Sequence, residues 1–139
     1  MDIEKYQDEN VIRSLLRKSK TIAVYGASEK PWRASNSITR FLLSVGYDVI
    51  PVNPHYEFVM GMKSYPSLLD IVVSVDLIDV FRRSSEVISV AEEAVKIGAK
   101  GIWFQEGVIN EQAAGIAVSG GLEVVMDKCI LKEYNRHPD

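Results

Sequence analysis

With 139 residues, 47% of them hydrophobic and 25% charged, the chain has the size and balance of one domain around a single core, with no room for a second catalytic domain. A formal charge of −3 argues against general attraction to nucleic acid or to an acidic membrane, although a local basic cluster can still hold a small polyanion. One cysteine, Cys129, and two histidines, His55 and His137, allow neither an internal disulfide nor a zinc-site spacing, and no stretch approaches the roughly 20 apolar residues needed to span a bilayer.

The opening MDIEKYQDEN has neither the basic nor the apolar region of a signal peptide, so a cytoplasmic protein is expected. Val11, Ile12, Leu15 and Leu16 then mark one face of a helix at about 8–19, with Asp8 as its cap. TIAVYGAS (21–28) is a β-branched, apolar run that breaks into a Gly-Ala-Ser turn, as a buried strand does. After the polar loop EKPWRASN, the spacing of Ile38, Phe41, Leu42 and Val45 predicts a helix closed by Gly46 and capped by Ser35 or Asn36.

DVIPVNP (48–54), VDLIDVF (75–81), GIWFQ (101–105) and LEVVMD (122–127) read as four further strands. Between them lie a helix bearing Val87, Ile88, Ala91, Ala94 and Val95, with Ser84 or Ser85 as cap and Gly98 as stop, and a weaker one from Glu111 to about Ser119 capped by Asn110. The stretch from His55 to about Leu68 is irregular and is a candidate loop over a ligand. The C-terminal ILKEYNRHPD is more polar than a core helix. Alternation of strand and helix over a core of about 20–132 predicts an α/β fold: a single doubly wound Rossmann-type domain, 1–139, with a mostly parallel sheet flanked by helices.

In such a sheet the ligand crevice lies beyond the carboxyl ends of the strands, here Gly26-Ala27-Ser28, Asn53-Pro54, Arg82-Arg83 and Glu106-Gly107, while Gln105-Glu106-Gly107 by itself reads as an ordinary turn before the helix capped by Asn110. The first turn lets backbone N–H groups approach a phosphate at the start of a helix, with Lys30 and Arg33 as added charge or as ordinary solvated loop residues. Arg82 and Arg83 follow a buried-looking strand, where paired guanidinium groups suit phosphate. An NAD site is disfavoured: G-x-G-x-x-G is missing and the second strand ends in Asn53 where an acidic residue would hold the ribose. Trp32 either stacks on an adenine ring or folds back as an anchor, His55 stands where it can touch ligand, and Cys129 reads as a small buried hydrophobe.

Taken in order, VYGASEKPWRASNSI, VIPVNP, GMKSYPSLLDI, VDLIDVFRR, GAKGIWFQEGV and VVMDKC resemble the small stand-alone CoA-binding domain family over about residues 15–132. That family is similar in turn to the CoA-binding domain of the succinyl-CoA synthetase alpha subunit and of ADP-forming acyl-CoA synthetases, which share a Gly-Ala-Ser-like turn and a later Glu-Gly dipeptide. The resemblance implies that Gly26, Ala27 and Ser28 with Lys30 and Arg33 hold the CoA phosphates and that Asn53 and Pro54 border the nucleotide. It further implies that Phe81 and Arg82 line the crevice and that Phe104, Gln105 and Glu106 touch CoA.

In the synthetases the phosphorylated histidine belongs to a separate domain, for which this sequence has no counterpart. The expectation is therefore a module that binds coenzyme A or an acyl-CoA, without acyl transfer of its own, acting alone or with a protein partner. An NAD(P)-binding oxidoreductase and a ligand-free protein-interaction domain of the same fold are the alternatives.

Overall fold

The continuous apolar runs become strands and the period-3.6 faces become helices in the computed structural model, which describes residues 1–138. The strands are β1 (Thr21–Tyr25), β2 (Asp48–Val52), β3 (Phe58–Val59), β4 (Met62–Lys63), β5 (Leu77–Val80), β6 (Gly101–Phe104) and β7 (Glu123–Met126). Five of them form one sheet in the order β2-β1-β5-β6-β7, every pairing parallel, while β3 and β4 make a small antiparallel hairpin. The helices among the described residues are α1 (Glu9–Lys18), α2 (Ala34–Ser44), α3 (Ile88–Lys96), α4 (Glu111–Ser119) and α5 (Ile130–Arg136). This is an α/β Rossmann-like fold, with the winding reversing between β1 and β5.

Successive strand residues face opposite sides of the sheet, so each strand feeds two cores. On one side Ile22, Val24, Leu77, Trp103 and Val125 pack under Ile12, Leu15, Leu42 and Ile130 of α1, α2 and α5. On the other, Ala23, Ile78, Ile102 and Phe104 pack under the alanine-rich faces of α3 and α4. Burial on both faces is why the strands read as continuous apolar runs. Trp103 is fully buried, and its indole N–H is satisfied by the carbonyl of Lys128 at 2.8 Å.

Two expected caps hold and two do not. The Asp8 carboxylate accepts from the N–H of Asn10 and Val11, and the Asn110 side chain accepts from Ala113 N–H. By contrast, α3 starts at Ile88 behind a single 3-10 turn (Ser84–Glu86) with no side-chain cap; Ser84 Oγ instead donates to the Gly107 carbonyl and accepts from Ile109 N–H. The first residue of α2 follows Arg33, also without a side-chain cap, and Asn36 turns inward to donate to the Ser28 carbonyl at 2.8 Å.

The polar C-terminal segment forms α5, which the apolar spacing did not reveal. Ile130 anchors it in the core, and Glu133 is buried only because Arg136 pairs with it at 2.6 Å. Among the described residues no helix is long and apolar enough to cross a membrane.

Candidate functional site

At the carboxyl end of the sheet, where the winding reverses, lies a cleft of about 930 Å³. That volume falls in the range of small-molecule sites. Its floor begins at Gly26, whose φ of +90° leads the chain out of β1 and across the end of β5. A Cβ here would lie 2.4 Å from the Phe81 carbonyl oxygen, so the close approach of the two strand ends requires glycine.

The turn is braced from three sides. Gly26 N–H donates to Val52 O at 2.9 Å, Lys30 N–H donates to Ser28 Oγ at 3.1 Å, and the Asn53 amide donates to Ala27 O at 2.8 Å. Asn53 also accepts from His55 N–H at 2.9 Å. A carboxylate could accept but could not donate to Ala27, so asparagine at this position serves the turn. Glu29 ties the same loop to the β3–β4 hairpin by accepting from Met60 N–H.

The segment 105–110 is held by hydrogen bonds and an ion pair to its neighbours. The Asp127 carboxylate, on a residue at φ +60°, accepts from Gly107 N–H at 2.7 Å, Ser84 Oγ bridges Gly107 and Ile109, and Glu106 pairs with Lys132 at 3.1 Å. Gln105 faces inward, with its Oε1 accepting from Ile130 N–H at 3.4 Å.

The structure brings most of the expected residues together: Gly26, Ser28, Lys30, Arg33, Asn53, Phe81, Arg82, Arg83, Gln105 and Glu106 all line the cleft. Ala27, Pro54 and Phe104 do not. Ala27 and Phe104 are fully buried in the two cores, Phe104 because it alternates with Gln105 and so points to the opposite layer, and Pro54 is exposed outside the cleft. Among the residues not anticipated are Ile38 and Val108, an apolar wall, together with Tyr56 and Glu86; Cys129 also reaches the cleft from the start of α5. Trp32 does not fold back: it is 77% exposed beside Arg33.

The electrostatics favour an anion. Lys30, Arg33, Arg82 and Arg83 line the cleft against two carboxylates, Glu86 and Glu106, each already paired, Glu86 with Arg82 at 3.0 Å and Glu106 with Lys132. A chain of net charge −3 thus concentrates cations at one end of its sheet. Ala34 and Ser35, which open α2 without a side-chain cap, line the same space, so backbone N–H groups and side-chain cations share one face of the cleft.

A second titratable cluster, Glu9, Glu133 and His137, lies away from the cleft. Its members are engaged with arginines: Arg136 lies 3.2 Å from Glu9, and Arg13 Nε donates to His137 Nδ1 at 3.2 Å while His137 Nε2 lies 3.0 Å from Glu9. It ties α5 to α1.

Sheet order, glycine turn and cleft define a Rossmann-like domain with a basic cleft at its winding reversal. The chain belongs to the CoA binding domain family, whose model matches residues 20–135. It is 40% identical over 119 residues to the uncharacterized protein YneT of Bacillus subtilis (strain 168), a match that covers 86% of this chain and 88% of that one. It is 33% identical over 117 residues to an ADP-forming acetate–CoA ligase of Methanocaldococcus jannaschii, covering 84% of this chain but 16% of the ligase. Among solved structures, a hypothetical protein from Pyrococcus horikoshii OT3 superposes with a TM-score of 0.91 at 41% identity, over 95% of this chain and 93% of that chain.

Proposed function

We propose that the protein binds coenzyme A or an acyl-CoA in this cleft, through the ligand's phosphates and nucleotide, as a module without acyl-transfer chemistry of its own. The observation that carries the reading is the convergence of four cations and the uncapped start of α2 on the glycine turn. Coenzyme A carries a pyrophosphate and a 3′-phosphate, and such groups are held by helix N-termini and guanidinium groups. Family membership supports the ligand class, and the ADP-forming ligase that the chain resembles over a sixth of its length is named for a CoA ligation. An NAD site is a poorer fit, because Asn53 stands where the ribose needs a carboxylate and its amide is engaged with Ala27.

Charge reversal tests the reading. Arg33 and Arg83 are exposed, so Arg33→Glu combined with Arg83→Glu leaves the fold intact, and CoA affinity should fall by about a hundredfold or more. A folded double variant that binds CoA as the wild type does would sink the assignment of the cleft.

A further inference from the structure

Asp79 is wholly inaccessible, in the sheet between its register partners Val24 of β1 and Trp103 of β6. Alternation with Ile78 and Val80 turns it to the α1/α2/α5 side, the face on which Leu77 lies. One carboxyl oxygen, Oδ1, accepts from Gln105 Nε2, while Oδ2 is buried with no hydrogen-bond partner. A half-satisfied acid in such a place costs stability that an apolar side chain would not.

Asp79 meets the cleft through Gln105, which lines the cleft floor. Ile130 N–H fixes the oxygen of that amide and Asp79 fixes its nitrogen, leaving the second N–H of Nε2 for a ligand. Burial pushes the Asp79 carboxyl up to about 8 against the opposing pull of the Gln105 amide, so at neutral pH the group is uncharged. β1 and β6 face it with Val24 and Trp103, and α2 contributes Ile38 and Leu42 to this face. The titratable groups in the same cluster are Tyr47, Tyr56, Cys129 and Tyr134. Every charged side chain on the covering helices α1, α2 and α5 is exposed except Glu133, which is paired with Arg136.

We propose that Asp79 is a proton-linked positioning residue: from beneath the cleft floor it orients the Gln105 amide toward an uncharged acceptor of the bound nucleotide, and a charge on it opposes the ligand's phosphates. The inference rests on reading the cleft as a CoA site. A polyanionic ligand favours the neutral acid, so binding is strongest below the carboxyl's folded-state value. It weakens as pH rises through that value, and above it each binding event takes up close to one proton.

The test is calorimetric titration from pH 6.5 to 9.5 with S-methyl-CoA, whose thioether does not ionise, on the wild type, Asp79→Asn and Asp79→Leu, each checked by thermal melting. Asparagine keeps the acceptor for Gln105 without titrating; leucine removes it. Wild-type affinity should fall above pH 8 by up to about tenfold per pH unit. Asp79→Asn should bind within about threefold of the wild type at pH 7 with that fall abolished, and Asp79→Leu should bind about tenfold more weakly while melting no lower than the wild type. A wild type that binds and an Asp79→Asn with the same pH dependence, or an Asp79→Leu of undiminished affinity, would overturn the role of Asp79 alone. A wild type that does not bind at pH 7 would overturn the CoA reading together with it.

Discussion

Gly26→Ala and Gly46→Ala place the same methyl group on two glycines of similar backbone, φ +90° and +101°, in different surroundings. Left-handed backbone costs an L-residue about 1–2 kcal/mol at either position. At Gly46 nothing lies within 4 Å of the new atom, so that is the whole expected cost. At Gly26 the methyl meets Phe81 O at 2.4 Å and Phe81 C at 3.1 Å, backbone atoms fixed by the 2.9 Å bond from Phe81 N–H to Tyr25 O. Relieving the clash parts β1 from the end of β5, adding about 1–3 kcal/mol of overpacking strain and about 0.5–1.5 kcal/mol for the loosened hydrogen bond. The Gly26 variant should therefore lose on the order of 3–6 kcal/mol, a large share of the roughly 5–15 kcal/mol that holds a domain together. Urea unfolding of the three proteins reads the difference directly, provided the slopes agree. If the two variants were equally destabilised to within about 0.5 kcal/mol, the contact between the turn and Phe81 would not be what demands glycine.

Arg82→Ala should weaken CoA binding by about 1–3 kcal/mol in a calorimetric titration without unfolding the domain, while Glu86→Ala, which frees the guanidinium from its 3.0 Å partner, should not weaken it. Asp76 accepts from Lys20 N–H and Thr21 N–H at 2.9 and 3.0 Å; burial works to raise its carboxyl, but these bonds and Lys100 outweigh it and hold the group below its ordinary value. Asp76→Ala should cost about 1–3 kcal/mol at neutral pH, and its deficit against the wild type should shrink as pH falls through about 4 and below, where the carboxylate is protonated in both states. The two tryptophans differ sharply, Trp103 being fully buried and Trp32 exposed, next in the chain to Arg33 of the cleft. CoA should therefore change the fluorescence of the wild type and leave that of Trp32→Phe nearly unaltered.

The alternation of buried runs and amphipathic faces was enough to read the five sheet strands and four of the helices, because each buries a stripe of regular period. The fifth helix escaped: over seven residues its inward positions include Glu133, whose burial depends on Arg136 and is invisible to a hydrophobic pattern. The β3–β4 hairpin escaped because two-residue strands have no period. At the cleft, the topology rule finds the strand ends, while the family resemblance takes Phe104 together with Gln105 because it follows sequence order and not layers; the two face opposite sides. Asn53 was marked for the ligand by its strand end, and its donation to Ala27 emerges only when the loop is folded. Asp79 did leave a trace, an acid inside the apolar run VDLIDVF.

The most direct test of the CoA site is titration of the purified protein with CoA, dephospho-CoA, NAD and NADP in one calorimetric series, after mass spectrometry has established whether a ligand co-purifies. The account predicts that CoA binds best and that loss of the 3′-phosphate weakens it. Tighter binding of NAD or NADP, or no heat from any of the four with a cleft free of co-purified ligand, would contradict it.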